Sequence, residues 1–338
     1  MKRVLLLCGG QSPEHEISLR SCKNVLNAIN RSKYEVTVVG ISQDGHWVLL
    51  DETELPSRID QHEPAITVQP GEKTPFWSQG KTLGSFDVIF PVLHGPNGED
   101  GTVQGMMQLL GIPFVGCGVL SSAISMDKDT SKRLLKAADV GVAEWVCLTD
   151  TGAIPSFDEI KQQLSSTVFV KPSNMGSSVG VHRVTNEEEW ERAVEDAFKY
   201  DARVLVEVGV VGRELECAVL GNQSPKASGV GEVSAGEFYS YEEKYEDTST
   251  TELSIPANVT AEELERLKVT AVKAYQVLHC EGLTRVDMFL TPEGEIIVNE
   301  VNTMPGFTSI SMYPKLWEHE GIPYADLIDE LISLALQK

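Results

Sequence analysis

The stretch TRVDMFLTPEGEIIVNEVN, residues 284–302, contains two strand-like runs separated by a Pro-Glu-Gly segment. Pro and Gly favour tight turns, and the flanking β-branched and aromatic residues favour strands, so we predict an antiparallel hairpin. A turn centred between the Glu and Gly of this segment would place Asp287 opposite Glu300. The same register would pair Arg285 with Asn302, and residues two apart share one face of a strand. The four polar side chains are therefore expected on one face of the hairpin.

Two facing carboxylates, Asp287 and Glu300, distinguish this hairpin from an ordinary one. Like charges directly opposite each other destabilise a sheet, and burying them without a cation is costly. Oxygen ligands of this kind suit Mg²⁺, which fills its remaining positions with water and substrate phosphates. Taken alone, the pattern fits a solvated acidic sheet face at least as well, so both interpretations stay open at this point.

The segment KPSNMGSSVGV, residues 171–181, directly follows the strand-like run TVFVK and is rich in Gly and Ser. Backbone N–H groups of such a loop can approach phosphate oxygens closely, and Lys171 adds a positive charge. The loop is therefore a candidate ATP phosphate site, with an ordinary hairpin connection as the alternative. Neither GxxxxGK[ST] nor a GxGxxG that opens a helix after the first strand occurs, so Walker and Rossmann sites are not supported.

Two further positions are ambiguous by themselves. Lys128, near the start of a helical segment, could contact a nucleotide or be a solvated lysine. Glu207 lies near the end of the run RVLVEV (203–208), where exposed main-chain groups could pair with adenine. Its carboxylate could take the ribose hydroxyls, and an ordinary domain linker at this point fits equally well.

The composition narrows the classes of protein to which the chain can belong. At 338 residues with 41% apolar content, the chain is long enough for two or three domains. The net charge of −22 argues against nucleic acid or an anionic membrane surface as a partner. The six cysteines are far apart and form no CxxC pair, which indicates neither a zinc site nor a disulfide framework. We therefore expect a cytoplasmic protein with no membrane partner.

Alternating strand and helix patterns at the start of the chain predict a parallel α/β sheet, with strands at 2–8, 35–41, 86–93 and 112–116. A long helix is expected from Ser121 through the segment MDKDTSKRLL, and a strand at 179–184. The remainder predicts a small central α+β domain and a C-terminal α+β domain with a mainly antiparallel sheet. The predicted fold class is α/β mixed with α+β, in three domains: 1–120, 121–208 and 209–338.

Seven segments, in order along the chain, resemble those of the D-alanine–D-alanine ligases of the ATP-grasp superfamily. These segments are GGQSPEHEISL (9–19), HGPNGEDG (94–101), MDK (126–128), VKPSNMGSSVG (170–180), YSYEEKY (239–245), TRVDMFL (284–290) and NEVNTMPGFTSISMYP (299–314). The resemblance covers essentially the whole chain, and an ordered series is far more specific than any one motif. It implies the three-domain ATP-grasp fold and an ATP-dependent ligase.

The resemblance also implies roles for the residues at matching positions. Those implied to bind ATP are Lys128, Phe169, Lys171, Ser178, Glu207, Val210, Glu214, Phe238, Lys244 and Phe289. Those implied to act in catalysis are Glu14, Ser177, Tyr245, Arg285 and Gly306. Those implied to bind the amino acid substrates are Glu14, His94, Arg285, Asn302, Gly306, Ser311 and Met312. Two Mg²⁺ ions, which Mn²⁺ can replace, are implied at Asp287, Glu300 and Asn302.

The reaction implied by the resemblance has two steps. The carboxylate of one D-alanine attacks the γ-phosphate of ATP, and the amine of a second D-alanine then attacks the resulting acylphosphate. Arg285 and the backbone N–H of Gly306 would stabilise the oxyanion, and segment 236–251 would form a lid that excludes water. A place in peptidoglycan precursor synthesis and a homodimer through the N-terminal domain are implied as well.

Several alternatives accompany this interpretation. Relatives that use D-serine or D-lactate as second substrate commonly differ at the positions of Tyr245 or Met312, and both residues here match the dipeptide-forming type. A non-catalytic nucleotide-binding regulator would be expected to lose a metal ligand or Arg285, and none is lost. Glu14 could instead cap the helix that follows it. Val208 and His15 stand where family members often have other residues.

Overall fold

The computed structural model describes residues 1–59, 64–234, 252–308 and 310–338. The strands in these residues are β1 (Lys2–Gly9), β2 (Tyr34–Ile41), β3 (Trp47–Leu50), β4 (Ile66–Val68), β5 (Phe76–Ser78), β6 (Lys81–Thr82), β7 (Val88–Val92), β8 (Trp145–Thr149), β9 (Val168–Pro172), β10 (His182–Val184), β11 (Arg203–Val208), β12 (Arg213–Gly221), β13 (Lys226–Ser234), β14 (Glu252–Ser254), β15 (Gly282–Leu290) and β16 (Ile296–Asn302). The helices are α1 (His15–Ala28), α2 (Thr102–Leu110), α3 (Val119–Met126), α4 (Lys128–Ala137), α5 (Phe157–Gln163), α6 (Glu187–Ala197), α7 (Ala261–Val277), α8 (Met312–His319) and α9 (Tyr324–Ala335).

The N-terminal sheet has the strand order β3-β2-β1-β7. Strand β1 runs parallel to both β2 and β7, which confirms the predicted parallel α/β arrangement. Its central position buries both faces, and this explains its unbroken apolar run from Val4 to Cys8. The predicted strand at 112–116 is wrong. That segment makes only a short parallel bridge at Phe114, because Pro113 has no N–H to extend the ladder.

The central sheet is antiparallel, in the order β10-β9-β11-β8. Helices α5 and α6 cover one face through a buried cluster that includes Phe157 and Trp190. Strand β10 begins later than predicted, because Gly180, inside the predicted strand, has a left-handed backbone angle (φ 67°) that is incompatible with a strand.

The single helix predicted from Ser121 is wrong, since the chain forms two helices, α3 and α4, with a break at Asp127. Asp127 is extended (φ −80°, ψ 100°), and its side chain accepts a hydrogen bond from the backbone N–H of Thr130 at 2.8 Å. This is the geometry of a helix N-cap, for which Asp is among the favoured residues. Lys128 is therefore the first residue of a new helix.

The C-terminal sheet has the order β14-β13-β12-β15-β16, with neighbouring strands antiparallel. The predicted pairs Asp287 with Glu300 and Arg285 with Asn302 are confirmed. The predicted centre of the turn is wrong, because the pairs nearest the turn are shifted by one residue. An irregularity between Asp287 and Met288 leaves Asn299 as an extra residue and restores the predicted pairing beyond it.

Helices α8 and α9 connect the C-terminal part of the chain to the N-terminal sheet. Phe307, Tyr313 and Trp317 share a buried cluster with residues of β1, β7 and α1. The ring of Phe307 lies 6.1 Å from that of Phe90 of β7 in an edge-on contact. This packing brings the segment that follows β16 beside the start of α1.

Candidate active site

A cleft of about 510 Å³ lies between the central and the C-terminal sheets, within the size range of small-molecule sites. Its walls come from β9, β11 and the loop after β9 on one side, and from β12, β13, β15 and β16 on the other. Eight of the predicted ATP-binding residues line it: Lys128, Phe169, Lys171, Ser178, Glu207, Val210, Glu214 and Phe289. Aromatic rings and lysines thus share one cavity, as a nucleotide requires.

Lys128 and Lys171 are both largely buried at the cleft wall. The ammonium group of Lys128 donates a hydrogen bond to the backbone oxygen of Met175 at 2.6 Å and lies 3.5 Å from the carboxylate of Glu300. That of Lys171 lies 2.8 Å from the carboxylate of Glu207. Lys128 is therefore not the freely solvated lysine of the alternative interpretation, and both lysines can direct positive charge at phosphate groups in the cleft.

Glu207 lies between two lysines, one of which sequence reasoning missed. Its second carboxylate oxygen is 3.1 Å from the ammonium group of Lys132. Burial opposes ionisation of Glu207, but the charges of Lys171 and Lys132 outweigh that effect and lower the pKa of its carboxyl group. Lys132 follows Lys128 by one helical turn, so the two lysines share one face of α4, and this spacing was the available sequence signal.

The loop after β9 reaches across to Glu14 at the start of α1. The hydroxyl of Ser177 donates to a carboxylate oxygen of Glu14 at 2.6 Å, and Glu14 is 7% exposed. Glu14 is the N-cap residue of α1, but its side chain makes no capping hydrogen bond to that helix. Gly176 lies close to the same carboxylate: a Cβ added to it would be 3.5 Å from a Glu14 oxygen, an ordinary van der Waals contact. A substrate ammonium placed beside Glu14 would be shielded from water by this loop.

Three carboxylates form a row across the neighbouring strands β12, β15 and β16. Glu216 is paired with Asp287, which is paired with Glu300. Arg285 donates two 2.7 Å hydrogen bonds to Asp287 through Nε and Nη2, and the same Nε lies 3.0 Å from a carboxylate oxygen of Glu216. Since Asp287 is only 3% exposed, the face is not the solvated acidic surface of the alternative interpretation. Glu216 was not predicted, although its alternation in RELECAV places it on this face.

The chemistry of this row fits magnesium. Asp287 and Glu300 offer oxygen ligands on adjacent strands, and the amide of Asn302 is 3.0 Å from Asp287. No group of three or more His, Cys, Asp or Glu side chains suited to a metal occurs in the described part of the chain. A divalent ion here would draw its other ligands from water and phosphates, which is how Mg²⁺ is commonly held.

His94 and Glu99 belong to the loop after β7. The buried imidazole of His94 donates through Nδ1 to the backbone oxygen of Met304 at 2.9 Å, and its Nε2 lies 3.2 Å from the hydroxyl of Ser21. Burial lowers the pKa of His94, which favours the neutral ring. Glu99 accepts from the backbone N–H groups of Gly95 at 2.7 Å and Met304 at 3.0 Å. These contacts tie the loop to the segment after β16.

The predicted second-substrate residues lie in the turn before α8. The hydroxyl of Ser311 accepts a 3.0 Å hydrogen bond from the backbone N–H of Thr308. A Cβ added to Gly306 would lie 2.8 Å from that hydroxyl, so the close approach of Gly306 requires the absence of a side chain. Met312 is 4% exposed, and its side chain packs against Gly231 of β13 rather than facing the cleft.

The remaining predicted residues, Phe238, Lys244 and Tyr245, lie outside the described residues. Val208 and His15 are the two residues that differ from many family members. Val208 lines the cleft, and His15 is buried with Nδ1 2.9 Å from the backbone oxygen of Gly10. His15 therefore supports the loop that carries Glu14.

Two sheets that enclose a cleft lined by paired lysines, with facing carboxylates at one wall, define an ATP-grasp fold. Comparison with known proteins agrees with this class. Residues 3–117 match the family model "D-ala D-ala ligase N-terminus" and residues 134–333 match "D-ala D-ala ligase C-terminus". The chain belongs to the D-alanine–D-alanine ligase family.

Individual relatives are similar over nearly their whole lengths. The D-alanine–D-alanine ligase of Oceanobacillus iheyensis is 48% identical over 100% of this chain and 96% of the relative. D-alanine–D-alanine ligase A of Escherichia coli K12 is 46% identical over 99% and 96%. Among solved structures, the D-alanine–D-alanine ligase of Coxiella burnetii has a TM-score of 0.88 at 38% identity, covering 100% and 96%. The VanG D-Ala:D-Ser ligase of Enterococcus faecalis has a TM-score of 0.90 at 37% identity, covering 99% of each chain.

Proposed function

We propose that this chain joins two D-alanine molecules with cleavage of ATP to ADP and phosphate, releasing D-alanyl-D-alanine. The observation that carries the proposal is the position of Arg285. It lies on the same sheet face as Asp287 and Glu300, beside a cleft whose opposite wall carries Lys128 and Lys171. Phosphate binding and stabilisation of a carbonyl oxygen can therefore occur side by side.

In the first step, a carboxylate oxygen of one D-alanine forms a bond to the γ-phosphorus of ATP, and the bond to ADP breaks. Lys128 and Lys171 hold the phosphates, and Glu14, anchored by Ser177, binds the ammonium group of the same D-alanine. This converts the carboxylate into an acylphosphate with a good leaving group. The adenine end would lie among Phe169, Val210 and Phe289, with Glu214 at the ribose.

In the second step, the amine of the second D-alanine, after losing a proton, attacks the acylphosphate carbonyl. Arg285 and the backbone N–H of Gly306 donate to the oxyanion that develops, and collapse of the tetrahedral species releases phosphate. Ser311 binds the carboxylate of the second substrate, and His94, held neutral by burial, orders the neighbouring segment through Met304.

Asp287, Glu300 and Asn302 would hold two Mg²⁺ ions, with Mn²⁺ able to take their place. When bound, these ions neutralise phosphate charge that an acidic protein would otherwise repel. The protein's own contribution is to keep the two carboxylates on neighbouring strands with Arg285 beside them.

The identity of the second substrate is tested by measuring phosphate release with ATP and Mg²⁺, together with the mass of the product. We expect release with D-alanine alone, a D-alanyl-D-alanine mass, and no reaction with L-alanine. Activity only after addition of D-serine or D-lactate would assign that compound as the second substrate. Nucleotide binding without phosphate release from any pair would support a non-catalytic regulator.

We further propose three domains, 1–120, 121–208 and 209–338, and a homodimer formed through the first of them. Exposed apolar side chains support this interface: Leu109 on α2 is 77% exposed, and Leu120 on the adjoining α3 is 60% exposed. Apolar surface of this kind marks interaction sites when it is contiguous. Sedimentation equilibrium should give a dimer for the wild type and a monomer for Leu109→Asp/Leu120→Asp. A dimer that survives both substitutions would place the interface elsewhere.

A cytoplasmic location and a place in peptidoglycan precursor synthesis complete the proposal. Its support is chemical: each cysteine of the described residues is a free thiol, and D-alanyl-D-alanine is a cell-wall building block. No helix among the described residues is long and apolar enough to cross a membrane.

A further inference from the structure

Lys132 is a buried lysine beside the cleft that the mechanism above does not use. Its side chain is 1% exposed, and its ammonium group lies 3.1 Å from Glu207. The same group donates to the backbone oxygen of Ala143 at 3.3 Å and lies 5.6 Å from the ring centre of Trp145. A lysine desolvated to this degree is unfavourable unless a partner needs its charge.

The partner is Glu207, which Lys132 shares with Lys171. Lys171 approaches one carboxylate oxygen at 2.8 Å and lines the cleft, whereas Lys132 approaches the other oxygen and is not among the cleft-lining residues. A nucleotide that enters the cleft can therefore reach Lys171 but not Lys132. The two lysines differ in what they can contact, although both neutralise the same carboxylate.

We infer that Lys132 is a positioning residue that keeps Glu207 neutralised and oriented, so that Lys171 is free to transfer to the phosphates of the nucleotide. When Lys171 turns toward phosphate, Glu207, which is 5% exposed, loses one of its two cations. Lys132 remains, because it is enclosed and anchored to Ala143. Without Lys132, Lys171 would be the sole cation of this trio, and binding of ATP would have to leave a buried carboxylate without a charged partner.

The inference rests on the proposed role of Lys171 in ATP binding, and variants of Lys132 test it through KM for ATP. Lys132→Met should raise KM for ATP about tenfold, a typical size for a buried coupled charge. The change in kcat at saturating ATP and in KM for D-alanine should stay within about twofold. Lys132→Arg, which retains the charge, should recover most of the ATP affinity.

The experiment is a double-mutant cycle on the full-length protein, using Lys132→Met, Glu207→Gln and the double variant. Because Lys132 acts through Glu207, adding Lys132→Met to Glu207→Gln should change KM for ATP and the calorimetric affinity for ADP by less than about twofold. The double variant removes opposite charges together and so should fold even if Lys132→Met alone does not. An equal loss of affinity in both backgrounds, or no loss in either, would overturn the inference.

Lys136→Met is the matched control, because Lys136 lies one turn further along α4 in an exposed pair with Glu144 at 2.7 Å. It should match the wild type in every measurement. Failure of the proposed function is distinguishable from failure of this inference. A wild type that neither binds nucleotide nor releases phosphate would contradict the proposed function. An active wild type with an unchanged Lys132→Met variant would contradict only the inference on Lys132.

Discussion

Arg285 is a single side chain placed between three carboxylates, and its substitution tests the proposed oxyanion role. Burial disfavours its charge, yet Asp287 and Glu216 raise the pKa of Arg285 well above its ordinary value, so the guanidinium stays protonated. Arg285→Ala should lower kcat for dipeptide synthesis by about 100-fold or more while ADP still binds. Steady-state rates and calorimetry measure the two effects separately.

Arg285→Lys is the control for this substitution, since it retains the charge but cannot donate two parallel hydrogen bonds to Asp287. We expect it to fall between the wild type and Arg285→Ala. Near-normal turnover in Arg285→Ala would remove the oxyanion role from this residue.

Glu99 offers a pH-dependent prediction. Burial and the charge of Glu14 raise the pKa of Glu99 from 4.5 to about 8, although the backbone N–H groups of Gly95 and Met304 oppose the shift. Between these two values the folded protein retains a proton that the unfolded chain has released, so this group reduces stability as pH rises through the window. Glu99→Gln cannot titrate. Urea unfolding from about pH 5 to 8 should show the wild type losing stability relative to the variant. If the free energy of unfolding changes with pH equally in both proteins, the raised pKa of Glu99 is contradicted.

At the scale of elements, Asp127 determines where α4 begins and hence where Lys128 and Lys132 point. Its carboxylate accepts from the N–H of Thr130 and also pairs with Arg203 of β11 at 2.6 Å. Asp127→Ala should lower the free energy of unfolding by about 1–2 kcal/mol, the usual cost of losing an N-cap. Chemical denaturation measures this directly.

The comparison substitution is Asp158→Ala in the first turn of α5, whose pair with Lys161 at 2.9 Å is exposed. It should cost less than about 0.5 kcal/mol, because surface ion pairs contribute little. An equal decrease in the free energy of unfolding in the two variants would show that the N-cap at Asp127 contributes no more than an exposed ion pair.

At the scale of the whole molecule, the cleft is built from two separate sheets, so a ligand bound in it holds them together. ADP with Mg²⁺ at about 100 times its Kd should stabilise the folded protein by about 2.7 kcal/mol. Removing the metal with a chelator should weaken that stabilisation, because the acidic row would then face the phosphates unscreened. Thermal unfolding with ADP, with and without chelator, is the measurement, and an identical Tm in both would argue against metal at Asp287 and Glu300.

Local pattern was sufficient for features whose partners are close along the chain. The hairpin pairing of Asp287 with Glu300 follows from strand periodicity and one turn, although the pattern did not indicate the extra residue, Asn299, between them and the turn. The loop after β9, which lines the cleft, was likewise visible as Gly and Ser after a strand-like run. The resemblance to a known family then supplied roles that no single residue could indicate.

Only the tertiary structure determines which charged residues from distant segments of the chain lie in contact. Lys132 on α4, Lys171 on β9 and Glu207 on β11 meet because the antiparallel register sets Glu207 opposite Phe169, two residues from Lys171, and because Asp127 restarts the helix. A sequence lists such residues without their separations in space. Whether a lysine is solvated or buried against a carboxylate depends on long-range packing, and the energies that separate those outcomes are properties of the folded interior.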